Sequence, residues 1–189
     1  MMNRFLLVLV FLSVSTSAFA QAHLGLSGGM NLCMENGDAN CNDIKPSYSF
    51  TLSPGYMFHE NVGINLDVNF SSVTADGDIA PEITFMHVVP MITGVLPAGP
   101  ASISLGVGMG YSSVTTTFGP FSADASTFMA IKASLMLLFP INEQFSAGIG
   151  SDYVHNGKME MCNPNDSSDC KEGDMPSQLQ VNVAMKYVF

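Results

Sequence analysis

The chain has 189 residues, enough for one barrel or sandwich around a single core. Its 16 Asp and Glu face six Lys and Arg, for a formal charge of −10 and a pI of about 4.4; no basic stripe appears, which excludes nucleic-acid binding. Charged residues make up 12% of the chain, about half the share usual in a soluble domain, and the mean hydropathy of +0.29 points to a second solvent besides water.

Residues 1–20 begin Met-Met-Asn-Arg, continue as an unbroken apolar run from Phe5 to Leu12, and end Ala18-Phe19-Ala20. This is the pattern of a secretory signal peptide cleaved after Ala20, which leaves 21–189 as the mature domain. The apolar run is too short to span a bilayer, which takes about 20 residues. Arg4 departs with the signal, so the mature chain carries five lysines as its only Lys or Arg.

From residue 21 the apolar residues alternate, the period of a β-strand rather than of a helix. The first run sets Leu24, Leu26, Gly28, Met30 and Leu32 against His23, Gly25, Ser27, Gly29 and Asn31. The second sets Tyr48, Phe50, Leu52, Pro54, Tyr56 and Phe58 against Ser49, Thr51, Ser53, Gly55 and Met57. The third sets Val62, Ile64, Leu66, Val68 and Phe70 against Gly63, Asn65, Asp67, Asn69 and Ser71. The fourth, residues 82–96, is weaker: Ile83, Phe85, Val89, Met91 and Val95 keep one phase, while Met86, Val88 and Ile92 fall opposite. That phase points Met86, Val88 and Ile92 inward and leaves His87 on the outward face, as a register irregularity. The fifth pairs Ile103, Leu105, Val107, Met109 and Tyr111 with an opposite face of Gly and Ser. The sixth keeps Met129, Ile131, Ala133, Leu135, Leu137 and Phe139 in phase against Lys132 and Ser134. The seventh sets Phe145, Ala147, Ile149 and Tyr153 against Ser146, Gly148, Gly150 and Asp152; the eighth runs Leu179, Val181, Val183, Met185, Tyr187 and Phe189 against Gln178, Gln180, Asn182, Ala184 and Lys186. Pro54 and Pro90 each remove a ladder hydrogen bond, which predicts a bulge or an interruption at both.

Connections alternate strictly. Short turns fall near 58–61, 97–100 and 140–144, and longer polar loops near 33–47, 72–82, 112–125 and 155–176. An up-and-down antiparallel barrel would gather all short turns at one end and all long loops at the other. The face opposite the apolar one is Gly, Ser, Thr, Asn and Gln with few charges, too small and uncharged for a soluble exterior and suited to a narrow lumen, so the apolar face is read as turned to lipid. Closure satisfies every backbone group, as a membrane-spanning sheet requires.

Export also governs the cysteines. Cys33 and Cys41 lie in the first long loop and Cys162 and Cys170 in the last; in an oxidising compartment four cysteines allow three pairings, the local one closing each loop on itself. Zinc would need closer spacing or partnering histidines, and neither is present.

Signal peptide, eight strands, three short turns, four long loops and a final strand ending Val181-x-Val183-x-Met185-x-Tyr187-x-Phe189 resemble the small outer-membrane β-barrels of Gram-negative bacteria, of the OmpA transmembrane-domain and OmpX type. The resemblance implies an all-β, eight-stranded antiparallel up-and-down transmembrane barrel in the bacterial outer membrane. It also implies that the C-terminal Phe189 with its alternating predecessors is the signal read by the barrel-assembly machinery. The missing tryptophan departs from the usual aromatic girdle, which Tyr48, Tyr56, Tyr111, Tyr153 and Tyr187 could supply.

Asp67, Glu82, Lys132, Asp152 and Lys186 are the charged residues expected in the lumen, where an unpaired charge costs several kcal/mol. A salt-bridge network that plugs the lumen follows, with Lys132 and Lys186 each beside an inward carboxylate; a gated pore is the alternative. Ser151, Asp152 and His155 tempt a triad reading, but Asp152 points away from the other two and no nucleophile elbow accompanies them. The loops hold most of the acids, among them Glu35, Asp38, Asp43, Asp76, Asp78, Asp124, Glu160, Asp166, Asp169, Glu172 and Asp174, either as a solvated surface or as weak divalent-cation ligands bridging to lipopolysaccharide phosphates. Met34, Met159 and Met161 beside cysteines suit flexible filling better than soft-metal capture.

The expected protein is therefore a monomer without cofactor, metal or catalytic residues, in contact with outer-membrane lipid and lipopolysaccharide. Its role is structural or surface-interacting, through acidic, disulfide-stapled loops. An OmpW-like conduit for small hydrophobic molecules is the alternative, with Met86, Val88 and Ile92 as its only hint of an apolar lumen pocket; a lipid-modifying enzyme is third.

Overall fold

Each alternating segment is a β-strand in the computed structural model, which describes residues 21–37, 41, 44–75, 82–118, 121–163 and 166–189. In chain order these are β1 (Gln21–Met34), β2 (Ile44–Lys45), β3 (Ser47–His59), β4 (Val62–Ala75), β5 (Glu82–Ala98), β6 (Ala101–Phe118), β7 (Phe121–Pro140), β8 (Phe145–Asn156), β9 (Lys158–Asn163), β10 (Asp166–Asp174) and β11 (Ser177–Val188). Around the wall the order is β4-β3-β1-β11-β8-β7-β6-β5, and β5 pairs back onto β4, so eight antiparallel strands close on themselves. The first and last strands zip together from His23 opposite Val188 to Met34 opposite Ser177, which leaves the barrel no free edge.

The two faces invert the arrangement of a soluble protein. Ile64, Leu66, Leu105, Val107, Leu135, Ile149 and Val183 are exposed on the outside, whereas Asn31, Thr51, Asn69, Gln180 and Asn182 are buried inside. Apolar surface of this extent is stable only against lipid. All five tyrosines are exposed on the outward face. A Cβ on Gly110 would come within 2.7 Å of the Val89 Cα on the neighbouring strand, so β5 and β6 approach there only because the position is glycine.

Short turns close one end. The turn between β5 and β6 carries Gly99 at φ 64°, a conformation glycine adopts at no steric cost. Between β7 and β8 the Asn142 Oδ1 accepts from the backbone N–H groups of Gln144 (2.9 Å) and Phe145 (2.8 Å). The other end departs from the loops the sequence suggested. β6 and β7 continue pairing as far as Phe118 opposite Phe121, so the predicted loop 112–125 is a hairpin; β2 adds to β4 within the first loop, and β9 pairs with β10 within the last. Polar composition there is compatible with strand, because Thr and Ser satisfy a solvated ladder as well as a loop does.

The fourth predicted strand faces the opposite way from its alternation. Phe85, His87, Val89, Met91 and Thr93 of β5 are buried in the lumen, and Met86 and Ile92 are exposed on the wall. Both faces of β5 are apolar, so periodicity could not choose. Partners did: Phe85 packs inside with Val73, Val114 and Met175, flanked by Ile44 and Ile83. His87 is thus a lumen residue and not an irregularity on the outer face.

The prolines interrupt the ladder without shifting it. Pairing of β3 with β4 skips from Leu52–Val68 to Gly55–Asn65 in unchanged register, and β5 with β6 skips from Val88–Tyr111 to Met91–Gly108. The bulge on β3 lies at Phe58 instead, between Met57 and His59.

Candidate functional site

The alternation of β4, β7 and β8 aims Asp67, Lys132 and Asp152 into the lumen near mid-strand. Lys132 Nζ lies 2.8 Å from Asp67 Oδ2 and 3.1 Å from Asp152 Oδ2, and Lys132 is 0% exposed. Ser53 Oγ donates to Asp67 Oδ1 (2.7 Å) and Asn182 Nδ2 donates to Asp152 Oδ2 (3.1 Å). Buried charge is tolerated only when paired and hydrogen-bonded in this way.

Towards the long loops the lumen fills with amides and hydroxyls that the sequence placed inward without assigning them to one another. Asn69 Nδ2 donates to Gln180 Oε1 (3.0 Å) and Gln180 Nε2 donates back to Asn69 Oδ1 (3.1 Å). Ser71 Oγ donates to Gln178 Oε1 (2.8 Å), and Ser49 Oγ to Asn182 Oδ1 (3.0 Å), which joins the ladder to the charged trio. His87, buried and stacked on Phe85 at 5.8 Å between centroids, hydrogen-bonds through Nδ1 to the Ser112 hydroxyl.

Lys186 does not behave as expected. No carboxylate among the described residues pairs with it; it lines a chamber at the short-turn end together with His23. Alternation sets its face, but strand stagger sets its height, and no inward acid reaches it. Glu82 pairs through its backbone with Thr74 and Thr117, and its side chain lies outside the described residues. His23 Nε2 hydrogen-bonds Asn65 Oδ1 at 3.0 Å, over a bare Gly55. A Cβ there would meet His23 Nε2 at 2.5 Å, so Gly55→Ala is expected to cost about 1–3 kcal/mol in a urea titration of folded against unfolded gel mobility. An unchanged midpoint would show that the packing at this end yields.

The triad reading finds no support. Asp152 is held by Lys132 and Asn182, His155 Nδ1 sits 3.2 Å from the Ser177 hydroxyl, and the intervening alternation sends Ser151 and Asp152 to opposite faces. His59 is exposed at the end of β3, where its Nδ1 accepts from the Asn61 N–H. Among the described residues no three His, Cys, Asp or Glu side chains are grouped to hold a metal.

At the long-loop end Cys33 and Cys41 form a disulfide. Inside the stapled segment Asn36 Nδ2 donates to the carbonyls of Asn156 (3.0 Å) and Met175 (2.9 Å), so the loop is pinned to β8 and to the residue that closes the apolar cluster. The backbones of Cys162 and Cys170 stand opposite each other in the β9–β10 ladder; their side chains lie outside the described residues.

A closed eight-stranded barrel with an apolar wall and a polar lumen fits one comparison directly. Residues 5–189 match the profile of the outer membrane protein beta-barrel domain. The chain belongs to this family of outer-membrane β-barrels. Solved structures share the fold at low identity. Neisserial surface protein A superposes with a TM-score of 0.63 at 9% identity, covering 90% of this chain and 97% of that one. Outer membrane protein H of Pseudomonas aeruginosa gives 0.53 at 15% over 89% and 99%, and OprG of the same organism 0.52 at 13% over 89% and 97%. Among curated protein sequences nothing matches significantly.

As an outer-membrane β-barrel of this family, the chain ends on a strand whose Val181, Val183, Met185, Tyr187 and Phe189 all present exposed side chains to the lipid side. Phe189 N–H donates to the Ala22 carbonyl at 3.0 Å, and its ring sits edge-on to Tyr187 at 5.0 Å. The terminal residue therefore completes the β1–β11 seam that closes the barrel.

Proposed function

We propose that the protein is a plugged, non-catalytic outer-membrane barrel that serves membrane integrity and surface interaction through acidic, disulfide-stapled loops. The observation that carries this reading is Lys132, fully buried between Asp67 and Asp152. A solute crossing the lumen would have to part a buried charge trio, at about 3–5 kcal/mol, and then the amide ladder above it. Residues 1–20 serve as the export signal, removed after Ala20. The barrel-assembly machinery reads Val181, Val183, Met185, Tyr187 and Phe189. The mature chain works as a monomer without cofactor, among outer-membrane lipid and lipopolysaccharide. Cys162 and Cys170 pair to staple the last loop as Cys33 and Cys41 staple the first, and the loop acids attract divalent cations that bridge to lipopolysaccharide phosphates.

A second reading, an OmpW-like conduit for small hydrophobic molecules, loses its sequence hint because Met86 and Ile92 face outward. It retains one observation: the ladder is interrupted beside Pro54 in the β3–β4 seam and beside Pro90 in the β5–β6 seam, and Pro90 stands opposite Leu66 between them. Reconstituted liposomes separate the two. The plugged barrel is expected to take up a hydrophobic fluorescent probe no faster than protein-free liposomes and to leave planar bilayers at baseline conductance. Faster saturable uptake would replace the plug with the conduit. A lipid-modifying enzyme, the third reading, would announce itself as altered lipid masses on overexpression.

A further inference from the structure

The chamber at the short-turn end of the lumen has a composition that the plug does not explain. Its volume is about 50 Å³, room for a few waters or one small ion. Its polar lining is the Lys186 ammonium, the hydroxyls of Ser27, Ser53, Thr93, Ser104 and Ser134, and the side chains of His23, Asn65 and Asp67. His23 is 4% exposed, and its Nδ1 is buried without a hydrogen-bond partner, the other ring nitrogen being taken by Asn65. The one carboxylate on the chamber wall, Asp67, has both oxygens engaged, Oδ1 by Ser53 and Oδ2 by Lys132. Asp152, whose Oδ1 is the unpartnered carboxylate oxygen of the trio, does not line the chamber.

A half-buried ammonium with no carboxylate in reach draws a counter-charge from solution, because both desolvation and the low local dielectric raise the cost of leaving it alone. We propose that this chamber binds a small monovalent anion of halide size, held by Lys186 Nζ, with hydroxyls of the surrounding strands completing its shell. The size of the chamber selects against larger oxyanions and carboxylates. The anion reaches it from the short-turn mouth, where β6 and β7 have their ends. Bound there, it ties β11 to β5, β6 and β7 below the Lys132 trio and stabilises the end of the barrel that has no ion pair among the described residues.

The competing arrangement is a chamber of water that bridges Lys186 to Asp67. Thermal unfolding of the refolded mature chain in micelles, followed by heat-dependent gel mobility, distinguishes them in potassium chloride, bromide and gluconate at equal ionic strength. With the anion bound, the midpoint rises saturably by a few degrees in chloride and bromide and not in gluconate, and Lys186→Met abolishes that rise. Bromide soaked into crystals places an anomalous peak beside Lys186 Nζ. If the wild-type midpoint is the same in chloride and gluconate, the proposal is overturned and water fills the chamber. A chloride response that survives Lys186→Met overturns it as well. Should that variant fail to fold, the wild-type salt comparison and the bromide map still decide.

Discussion

Lys132→Met is expected to lower the stability of the barrel by about 3–5 kcal/mol, because it strands Asp67 and Asp152 in the lumen with no cation within reach. The methionine fills most of the lysine's volume, so the loss reports charge rather than a cavity. Urea titration in liposomes, read by gel mobility of unboiled samples, measures it. The triple variant with Asp67→Asn and Asp152→Asn should recover most of the loss, since neutral amides leave no charge to compensate. A single variant as stable as wild type would mean that the lumen is hydrated enough to screen the two acids, and the plug would lose its basis.

Ile92→Lys should cost about 2–4 kcal/mol in bilayers, the penalty for a lysine on the lipid face near the membrane midplane. The side chain is 63% exposed on the outer wall, so nothing in the protein can pair the new charge. A fluorophore on a cysteine at 92 should be quenched by nitroxide lipids, and one at 91 should not. The reverse pattern would return β5 to the phase its alternation suggested and would send His87 out of the lumen.

These two experiments bear on different kinds of evidence. Lys132, Asp67 and Asp152 were legible as lumen residues because each sits in a strand whose two faces differ sharply, apolar against small and polar. That a buried charge must find an opposite one predicts an inward carboxylate beside Lys132 and another beside Lys186, without saying which acids those are. Lys186 obeys the first argument and fails the second, since a face says nothing of the height at which a neighbour's side chain arrives. His87, which the alternation places on the outward face, lies buried in the lumen. The signal available was its polarity within an apolar segment, which argued for the lumen side against the alternation of its neighbours.

The mouth of the barrel shows a similar division. Cys33 and Cys41 could be read as a local staple from their position in one polar loop. That Asn36 within it would reach Asn156 and Met175 could not, because those carbonyls come from distant strands brought together only when β1 zips onto β11.

The amino-acid pattern alone determined the number of wall strands, their antiparallel order, the placement of the short turns at one end and the outward turn of the apolar face in seven strands. Each of these follows from period two and from connection length, which are local properties. Only the tertiary structure decided the face of β5, the partner of each lumen side chain, the length of the β6–β7 hairpin and the unpaired position of Lys186. Those depend on register and stagger around a closed sheet, where a residue's environment is set by strands far away in sequence and by a shear that no single strand encodes.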